Sequence, residues 1–184
     1  MIRSHLKNFL SPGALAIFLL TAAAGVSLDL WTKQYAVEHL SRATEGYAFI
    51  PGWVHFTVLT NTGAVFGLGE GRRPLFITVS VAAVIFLLYL FANSGKQRFY
   101  QFILGMLMAG VLGNMYDRLR YGHVRDMIHV LPRWPNLFPW IFNVADVLLC
   151  SGVGLMILYS LFHRETQIAP QSQQSAAETD PKGG

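Results

Sequence analysis

Four long apolar stretches constrain the fold of this chain more than any other feature of its sequence. They lie at about 12–31, 74–92, 99–117 and 140–162 of the 184 residues. Each approaches or exceeds the roughly 18 apolar residues that mark a candidate transmembrane helix. Only 13% of the residues are charged, whereas an average soluble domain has about 25%. The sequence therefore predicts a mainly α membrane protein with four transmembrane helices and excludes a polar-surfaced cytosolic enzyme.

The N-terminal apolar stretch allows a second interpretation. Arg3 and Lys7 precede it, and the small residues Ala22–Ala24 follow its apolar core. This order of a basic region, an apolar region and small residues is typical of a cleavable signal peptide. Apolar residues nevertheless continue to Trp31, past the candidate cleavage site, and this favours a retained first transmembrane helix.

The basic residues leave the orientation in the membrane open. With four spans, both termini and the 93–98 loop lie on one side, which holds six Lys or Arg residues, and the two longer loops hold eight. The positive-inside rule therefore leans slightly against cytoplasmic termini. Several of the eight fall in polar motifs that could have a function, so the charge count alone does not decide the orientation.

The two longer loops, 32–73 and 118–139, carry short segments with strand character. Residues 53–60 are rich in β-branched and aromatic side chains and precede a turn signal at 61–63, and residues 123–130 alternate in part. These patterns predict a small β-element at the membrane surface. Residues 164–184 are rich in Gln, Ser, Ala, Pro and Gly. We therefore predict a disordered C-terminal tail at 164–184 after a single membrane-embedded domain at 1–163.

The aspartates are the most informative polar residues. Asp29, Asp117 and Asp146 fall in or at the ends of apolar stretches, and Asp126 lies in the loop between the last two. A carboxylate at the centre of a bilayer costs at least about 2.5–3.5 kcal/mol, so an acid within the membrane marks a functional site by default. The first and third stretches end on the side where the fourth begins. All four aspartates are therefore expected at one membrane face.

The predicted helix bounds also give the position of each acid along its helix. If the fourth helix begins near residue 140, Asp146 lies roughly 9 Å from its start at 1.5 Å per residue. Asp29 and Asp117 are expected at helix C-termini, where the helix dipole disfavours a negative charge. Helix capping therefore does not explain these two acids.

Each acid has polar neighbours at helical spacing. Asn114 and Asn143 each precede an aspartate by three residues, and Lys33 follows Asp29 by four. Residues at these spacings share a helix face. Taken singly, such groups often form hydrogen bonds between membrane helices. Asp146 has no basic residue in its own stretch before His163, which favours a functional site over a purely structural one.

Two carboxylates placed close together in a poorly solvated site share one proton, because both cannot ionise easily. The ionised member can then activate water, and the neutral member can protonate a departing amine. This chemistry requires no metal, serine or cysteine. The spacing does not reveal which two of the four aspartates pair.

Other chemistries have little support in the sequence. The six histidines show no metal-ligand spacing, and the single cysteine, Cys150, excludes an intramolecular disulfide framework. The glycine-rich run 67–71 lacks the lysine and serine of a phosphate loop and is interpreted as a turn. No basic block with interleaved aromatic residues indicates nucleic-acid binding. We therefore expect no metal, no cofactor and no nucleic-acid partner.

The sequence resembles the lipoprotein signal peptidases (signal peptidase II), a family of bacterial membrane aspartyl proteases. Five blocks occur in the family order along the chain. They are Asp29-Leu30-Trp31-Thr32-Lys33, Asn61-Thr62-Gly63-Ala64-Val65-Phe66, Gly110-Val111-Leu112-Gly113-Asn114-Met115-Tyr116-Asp117-Arg118, Gly122-His123-Val124-Arg125-Asp126, and Phe142-Asn143-Val144-Ala145-Asp146. The departures from the family pattern, Ala109, Val65 and Met127, remove no charged group.

The resemblance implies a role for ten residues. The catalytic dyad of the family corresponds to Asp126 and Asp146. Its substrate-binding or site-supporting residues correspond to Asp29, Lys33, Asn61, Gly63, Asn114, Asp117, Arg118 and Asn143.

The resemblance also implies a substrate and a location. The expected substrate is a diacylglyceryl-modified prolipoprotein, cleaved just before its lipidated cysteine. The termini would lie in the cytoplasm, and the dyad and the β-element would lie near the outer surface of the bacterial inner membrane. The family further implies membrane lipids as partners, sensitivity to globomycin-type peptide inhibitors, and a monomer.

Two function classes other than a protease could use the same polar residues. A small ion- or proton-coupled transporter would use the acids as a relay, and it predicts carboxylates spread through the depth of the membrane. A scaffold or insertion chaperone would use them only to hold helices together. The gathering of the aspartates at one membrane face favours the protease.

Overall fold

The computed structural model describes residues 11–40, 46–63, 73–130 and 140–178, with side chains described as far as residue 162. Within these ranges there are four α-helices, namely α1 (Pro12–Leu40), α2 (Arg73–Ala92), α3 (Arg98–Tyr121) and α4 (Val144–Glu178). Each has a segment long and apolar enough to cross a membrane, which in α4 is Val144–Phe162. The prediction of a mainly α protein with four membrane-spanning helices is therefore confirmed.

Four helix ends differ from the predicted bounds by four residues or more. The first helix continues to Leu40 instead of ending near 31, because Lys33 and Ala36, beyond the apolar stretch, continue the buried face of the helix at helical spacing from Asp29. The third helix ends at Tyr121, where Gly122 adopts a left-handed conformation (φ 86°) and donates its N–H to the carbonyl of Arg118. The predicted end near 117 is one turn too early.

The fourth helix begins at Val144 and not at 140, because the residues before it form a strand. This correction changes the expected depth of Asp146, which lies in the first turn of α4 rather than roughly 9 Å inside it. The extension of α1 likewise places Asp29 in the interior of a helix, so the expected C-terminal position of this acid is wrong.

The C-terminal part of α4 also differs from the prediction. Its backbone is helical to Glu178, in a segment rich in Gln, Ala and Glu, for which the composition predicts disorder. The disorder of 164–184 in solution stays a prediction. The basic residues before α1, the glycine-rich run at 67–71 and the last residues of the tail, 179–184, lie outside the described residues.

The third helix forms the centre of the bundle and packs against the other three helices. Its apolar side chains Ile103, Leu104 and Met108 are buried, together with Phe18 of α1 and Phe91 of α2. The other helices expose rows of large apolar side chains on their outer faces. Such faces suit a lipid environment, where hydrocarbon chains cover them.

Four antiparallel strands form a small sheet in the order β1-β2-β3-β4. They are β1 (Tyr47–Ile50), β2 (Val54–Asn61), β3 (Val124–Val130) and β4 (Ile141–Phe142). The predicted β-element is therefore confirmed. The pairing of Asn61 with Val124 and of Leu59 with Asp126 brings the end of β2 beside the start of β3. β3 follows the end of α3, and β4 leads directly into α4, so the sheet connects the end of α3 to the start of α4.

Small residues permit the close approach of α1 and α3. A Cβ atom added to Gly105 would lie 2.7 Å from Thr21 Cβ and 2.9 Å from the carbonyl oxygen of Phe18. Both distances are too short for van der Waals contact, and one of the two atoms is backbone. By contrast, a Cβ atom added to Gly154 of α4 has no neighbour within 4 Å.

We expect Gly105→Ala to lower the free energy of unfolding by about 1–3 kcal/mol, because the added methyl group forces the two helices apart. The matched control, Gly154→Ala, should change it by less than about 1 kcal/mol, in the stabilising direction. Unfolding of both purified variants in detergent micelles measures the difference. Equal stability of the two variants would contradict the described contact between α1 and α3.

Candidate active site

Asp126 and Asp146 come from different elements and are joined by one residue, Asn143. Asp126 lies on β3, and Asp146 lies in the first turn of α4. The Nδ2 of Asn143 donates to Asp126 Oδ1 at 2.6 Å, and its backbone N–H donates to Asp146 Oδ2 at 3.2 Å. Asn143 is fully buried. Both carboxylates are therefore held by the side chain and the backbone of the same residue.

The bonds between Asn143 and Asp146 form a capping box at the start of α4. Asn143 Oδ1 accepts the backbone N–H of Asp146 at 3.0 Å, while the Asp146 carboxylate accepts the backbone N–H of Asn143. Reciprocal bonds of this kind satisfy N–H groups that a helix start leaves unpaired. The spacing Asn143-x-x-Asp146 thus reflects a helix N-terminus, where the helix dipole also favours a negative charge.

Asp126 is held by a second asparagine from the sheet. The Nδ2 of Asn61 donates to Asp126 Oδ2 at 3.0 Å, and Asn61 Oδ1 accepts the backbone N–H of Gly63. Arg118 in turn donates to the Gly63 carbonyl at 3.2 Å. Arg118 therefore supports Asp126 through Gly63 and Asn61 rather than by a described hydrogen bond to a carboxylate.

The environment of Asp126 favours its protonated form. Its side chain is only 2% exposed. Burial, assisted by the charge of Asp146, raises the pKa of Asp126 from its ordinary 3.8 to about 6, although hydrogen bonds from Asn61 and Asn143 act in the opposite direction. This carboxyl group therefore retains a proton at a higher pH than an ordinary aspartate does.

Asp146 is held from the side of α3 by Asn114. The Nδ2 of Asn114 donates to Asp146 Oδ1 at 2.8 Å, while its Oδ1 accepts from Lys33 Nζ at 3.0 Å. Asn114 has no described hydrogen bond to Asp117, the acid that follows it by three residues. The same Asn-x-x-Asp spacing therefore has a different outcome in the middle of α3 from its outcome at the start of α4.

Asp29 connects α1 to the beginning of α4. One carboxylate oxygen accepts the ammonium group of Lys33 at 2.7 Å, and the other accepts the backbone N–H of Ala145 at 2.8 Å. A Cβ atom on Gly113 of α3 would collide with this carboxylate. Asp29 thus satisfies an N–H at the start of α4 from a neighbouring helix, in space that a glycine leaves open.

Asp117 forms the last part of the site, beneath β3. Arg125 donates to Asp117 Oδ1 from Nη2 at 2.8 Å and to Asp117 Oδ2 from Nε at 3.2 Å. Lys33 Nζ lies 3.5 Å from Asp117 Oδ2. The described contacts thus connect all ten residues that the resemblance identified, and the structure brings every one of them into a single polar network.

Two residues of this network were not among those predicted, namely Arg125 and Gln34. Arg125 Nη1 donates to Gln34 Oε1 at 3.2 Å, and Arg125 is 7% exposed. A basic residue directly before a candidate catalytic aspartate, in a chain with few charges, was the available signal for Arg125. Gln34 carries no comparable signal, because its role depends on the extension of α1 beyond residue 31.

The carboxylates of the site are occupied by protein donors. Among the residues that the structure describes, no group of three or more His, Cys, Asp or Glu side chains is placed to hold a metal ion. Cys150 is exposed on α4. The carboxyl groups of Asp126 and Asp146 can supply proton transfer.

Comparisons with known proteins identify the family of this chain. Residues 21–162 match the family model described as signal peptidase (SPase) II. The lipoprotein signal peptidase of Enterococcus faecalis is 38% identical over 79% of this chain and 88% of its own length. That of Chlorobium phaeobacteroides is 34% identical over 78% of this chain and 94% of its own length.

Solved structures show the same fold. One, described as a bacterial membrane enzyme obtained by the in meso method at 2.3 Å resolution, has a TM-score of 0.70 and 28% identity, over 90% of this chain and 93% of that chain. A second bacterial membrane enzyme, at 1.9 Å resolution, has a TM-score of 0.68 and 31% identity, over 77% of this chain and 90% of that chain. From the matched family model and the relatives together, the chain belongs to the signal peptidase II family.

Proposed function

We propose that this protein is a membrane aspartic endopeptidase that removes signal peptides from diacylglyceryl-modified prolipoproteins. The relatives named above are lipoprotein signal peptidases, which supports this substrate class. Cleavage would fall just before the lipidated cysteine. Asp126 and Asp146 would form the catalytic dyad.

The observation that carries this proposal is the shared contact of the two carboxylates with Asn143. Asp126 accepts from its side chain and Asp146 from its backbone. Burial, assisted by the charge of Asp146, raises the pKa of Asp126. Two acids coupled in this way hold one proton between them over a range of pH. That protonation state is the one that acid–base hydrolysis by a carboxyl pair requires.

In the proposed reaction, the ionised aspartate takes a proton from water as the water oxygen attacks the scissile carbonyl carbon. The protonated aspartate donates its proton to the carbonyl oxygen, which gives a neutral tetrahedral intermediate. When the C–N bond breaks, one aspartate donates its proton to the nitrogen, and a hydroxyl group of the intermediate returns a proton to the other aspartate. A new carboxyl group and a new amine are released, and the dyad again holds one proton.

The supporting residues would keep the two carboxylates in this geometry while water and substrate exchange. Asn61 and Asn143 each donate one N–H to Asp126, and Asn114 donates one to Asp146. The donor in each of these bonds is a side-chain amide, which does not accept the proton of the dyad at neutral pH. The network therefore orients the acids without competing for their proton.

The location of the dyad suits a substrate that is anchored by lipid. Asp146 is partly exposed at the start of α4, and the next residue, Val147, is exposed on the apolar outer surface. A peptide attached to diacylglycerol could reach the carboxylates from the lipid side. We further propose that the termini are cytoplasmic, that the dyad lies at the outer face of the inner membrane, and that the enzyme is a monomer sensitive to globomycin-type peptides.

We expect Asp126→Asn and Asp146→Asn each to lower the rate of signal-peptide removal by about 10²–10⁴-fold, the usual effect of losing a general acid or base. The assay follows loss of the signal peptide when purified enzyme meets a diacylglyceryl-modified prolipoprotein in micelles. Glu38→Gln is the matched control, since Glu38 is an exposed acid of α1 and the amide oxygen that replaces its carboxylate can still accept the N–H of Gln34.

The control should cleave at the parental rate, and both Asn variants should remain folded, as measured by thermal unfolding. Full processing by the two Asn variants would refute the assignment of the dyad. Processing of a prolipoprotein without diacylglycerol at the same rate would refute the proposed substrate class.

The raised pKa of Asp126 also predicts how stability depends on pH. A pKa of about 6 in the folded protein, against an ordinary 3.8, means that Asp126 contributes most to stability below pH 4. That contribution is lost as the pH rises through 6. Over this range we expect the parent to lose about 3 kcal/mol relative to Asp126→Asn, at 1.36 kcal/mol per pKa unit.

Unfolding of the two proteins by titration with sodium dodecyl sulfate, at a series of pH values, measures this difference. Because the amide that replaces the carboxyl group in Asp126→Asn cannot titrate, other ionisable groups cancel in the comparison to the extent that their pKa values are unchanged. Parallel stability curves between pH 4 and 7 would contradict a raised pKa for Asp126.

A further inference from the structure

Arg125 is the most heavily bonded residue of the site for which the resemblance implies no role. It directly precedes Asp126 on β3, where successive side chains point to opposite faces of the sheet. The Asp126 carboxylate contacts Asn61 and Asn143, whereas the Arg125 guanidinium contacts α1 and α3. The two neighbouring side chains therefore attach β3 to different parts of the molecule.

Arg125 is fixed through both its backbone and its side chain. Its backbone N–H donates to Asp117 Oδ2 at 3.0 Å, and Nε and Nη2 donate to the two oxygens of the same carboxylate. Nη1 donates to Gln34, and the guanidinium carbon lies 4.4 Å from the ring centre of Tyr121. A planar guanidinium can satisfy all these partners at once, and an ammonium group cannot.

The ion pair between Arg125 and Asp117 also affects which buried carboxylate Lys33 must neutralise. Asp29 and Asp117 are both fully buried, and Lys33 is near both, at 2.7 Å and 3.5 Å respectively. Without Arg125, one ammonium group would have to neutralise two buried carboxylates, which is costly. With Arg125 present, Lys33 remains close to Asp29 and keeps its hydrogen bond to Asn114, the residue that holds Asp146.

From these contacts we infer that Arg125 is a positioning residue for both members of the proposed dyad. It anchors β3 through Asp117, which fixes Asp126, and it leaves Lys33 available to orient Asn114, which fixes Asp146. The expected loss of kcat rests on the proposed function, whereas the expected effect on the anchoring of β3 does not. Arg125 is buried, and each of its guanidinium nitrogens donates a hydrogen bond within the protein, so it acts through these partners and not by touching the substrate.

The test compares Arg125→Met and Arg125→Lys with the control Arg120→Met, since Arg120 is an exposed arginine in the last turn of α3. We expect Arg125→Met to lower kcat by about 10–100-fold, because displacement of a reacting group by about 1 Å can cost about 10²-fold. KM should stay within about threefold, as no interaction with the substrate is lost.

Arg125→Lys keeps the charge but not the planar fork, so its kcat should lie between those of the parent and Arg125→Met. The control should keep the parental kcat.

The double variant Asp117→Asn/Arg125→Met removes both charges together. It should recover the thermal stability that Arg125→Met loses, while its kcat stays below the parental value because the anchor of β3 is still missing.

A second readout does not need cleavage. Hydrogen exchange followed by mass spectrometry should show faster exchange of the β3 amides, residues 124–130, in Arg125→Met than in the parent and in Arg120→Met. An Arg125→Met variant with a parental kcat, or with a raised KM alone, would overturn the inference. If the parent itself does not cleave prolipoprotein, the proposed function fails. Hydrogen exchange then tests the inference separately, and β3 amides that exchange equally fast in Arg125→Met and in the parent would overturn it.

Discussion

The polar part of this structure depends on the interactions of the buried ammonium group of Lys33. It is fully buried among helices in a protein whose outer surface is apolar, and it contacts Asp29, Asp117 and Asn114. A buried charge is tolerated only when its partners satisfy it completely. Because those partners belong to α1 and α3, and Asp29 also binds the first turn of α4, satisfying Lys33 fixes three helices relative to one another at one membrane face.

Much of the fold could be predicted because apolar length and turn chemistry are local signals. The four spans and the strand segments at 53–60 and 123–130 follow from them, and the structure confirms both. The bounds could not be predicted where tertiary contacts decide them. α1 extends to Leu40 because Lys33 and Ala36 are buried beneath the sheet, and α4 starts late because Ile141 and Phe142 pair with β3.

The site was predictable in its membership but not in its hydrogen-bond pattern. Sequence reasoning places the four aspartates at one face and identifies Asn114 and Asn143 as their neighbours by spacing, and the resemblance adds Asn61. Identical spacings nevertheless gave different contacts, since Asn143 caps a helix together with Asp146, whereas Asn114 binds Asp146 from across the bundle. The hydrogen-bond partner of each asparagine depends on whether a helix begins at that residue or a neighbouring helix lies beside it. Residue spacing within one segment does not contain this information.

The capping box of α4 has a consequence for inhibitor design. The bonds that begin this helix and the bonds that orient Asp146 are the same ones, made by Asn143 and Asp146. A compound that hydrogen-bonds to these two residues would contact groups whose substitution also removes capping bonds of α4. Substitutions that weaken binding of such a compound would therefore also weaken the start of α4, which holds the proposed catalytic Asp146.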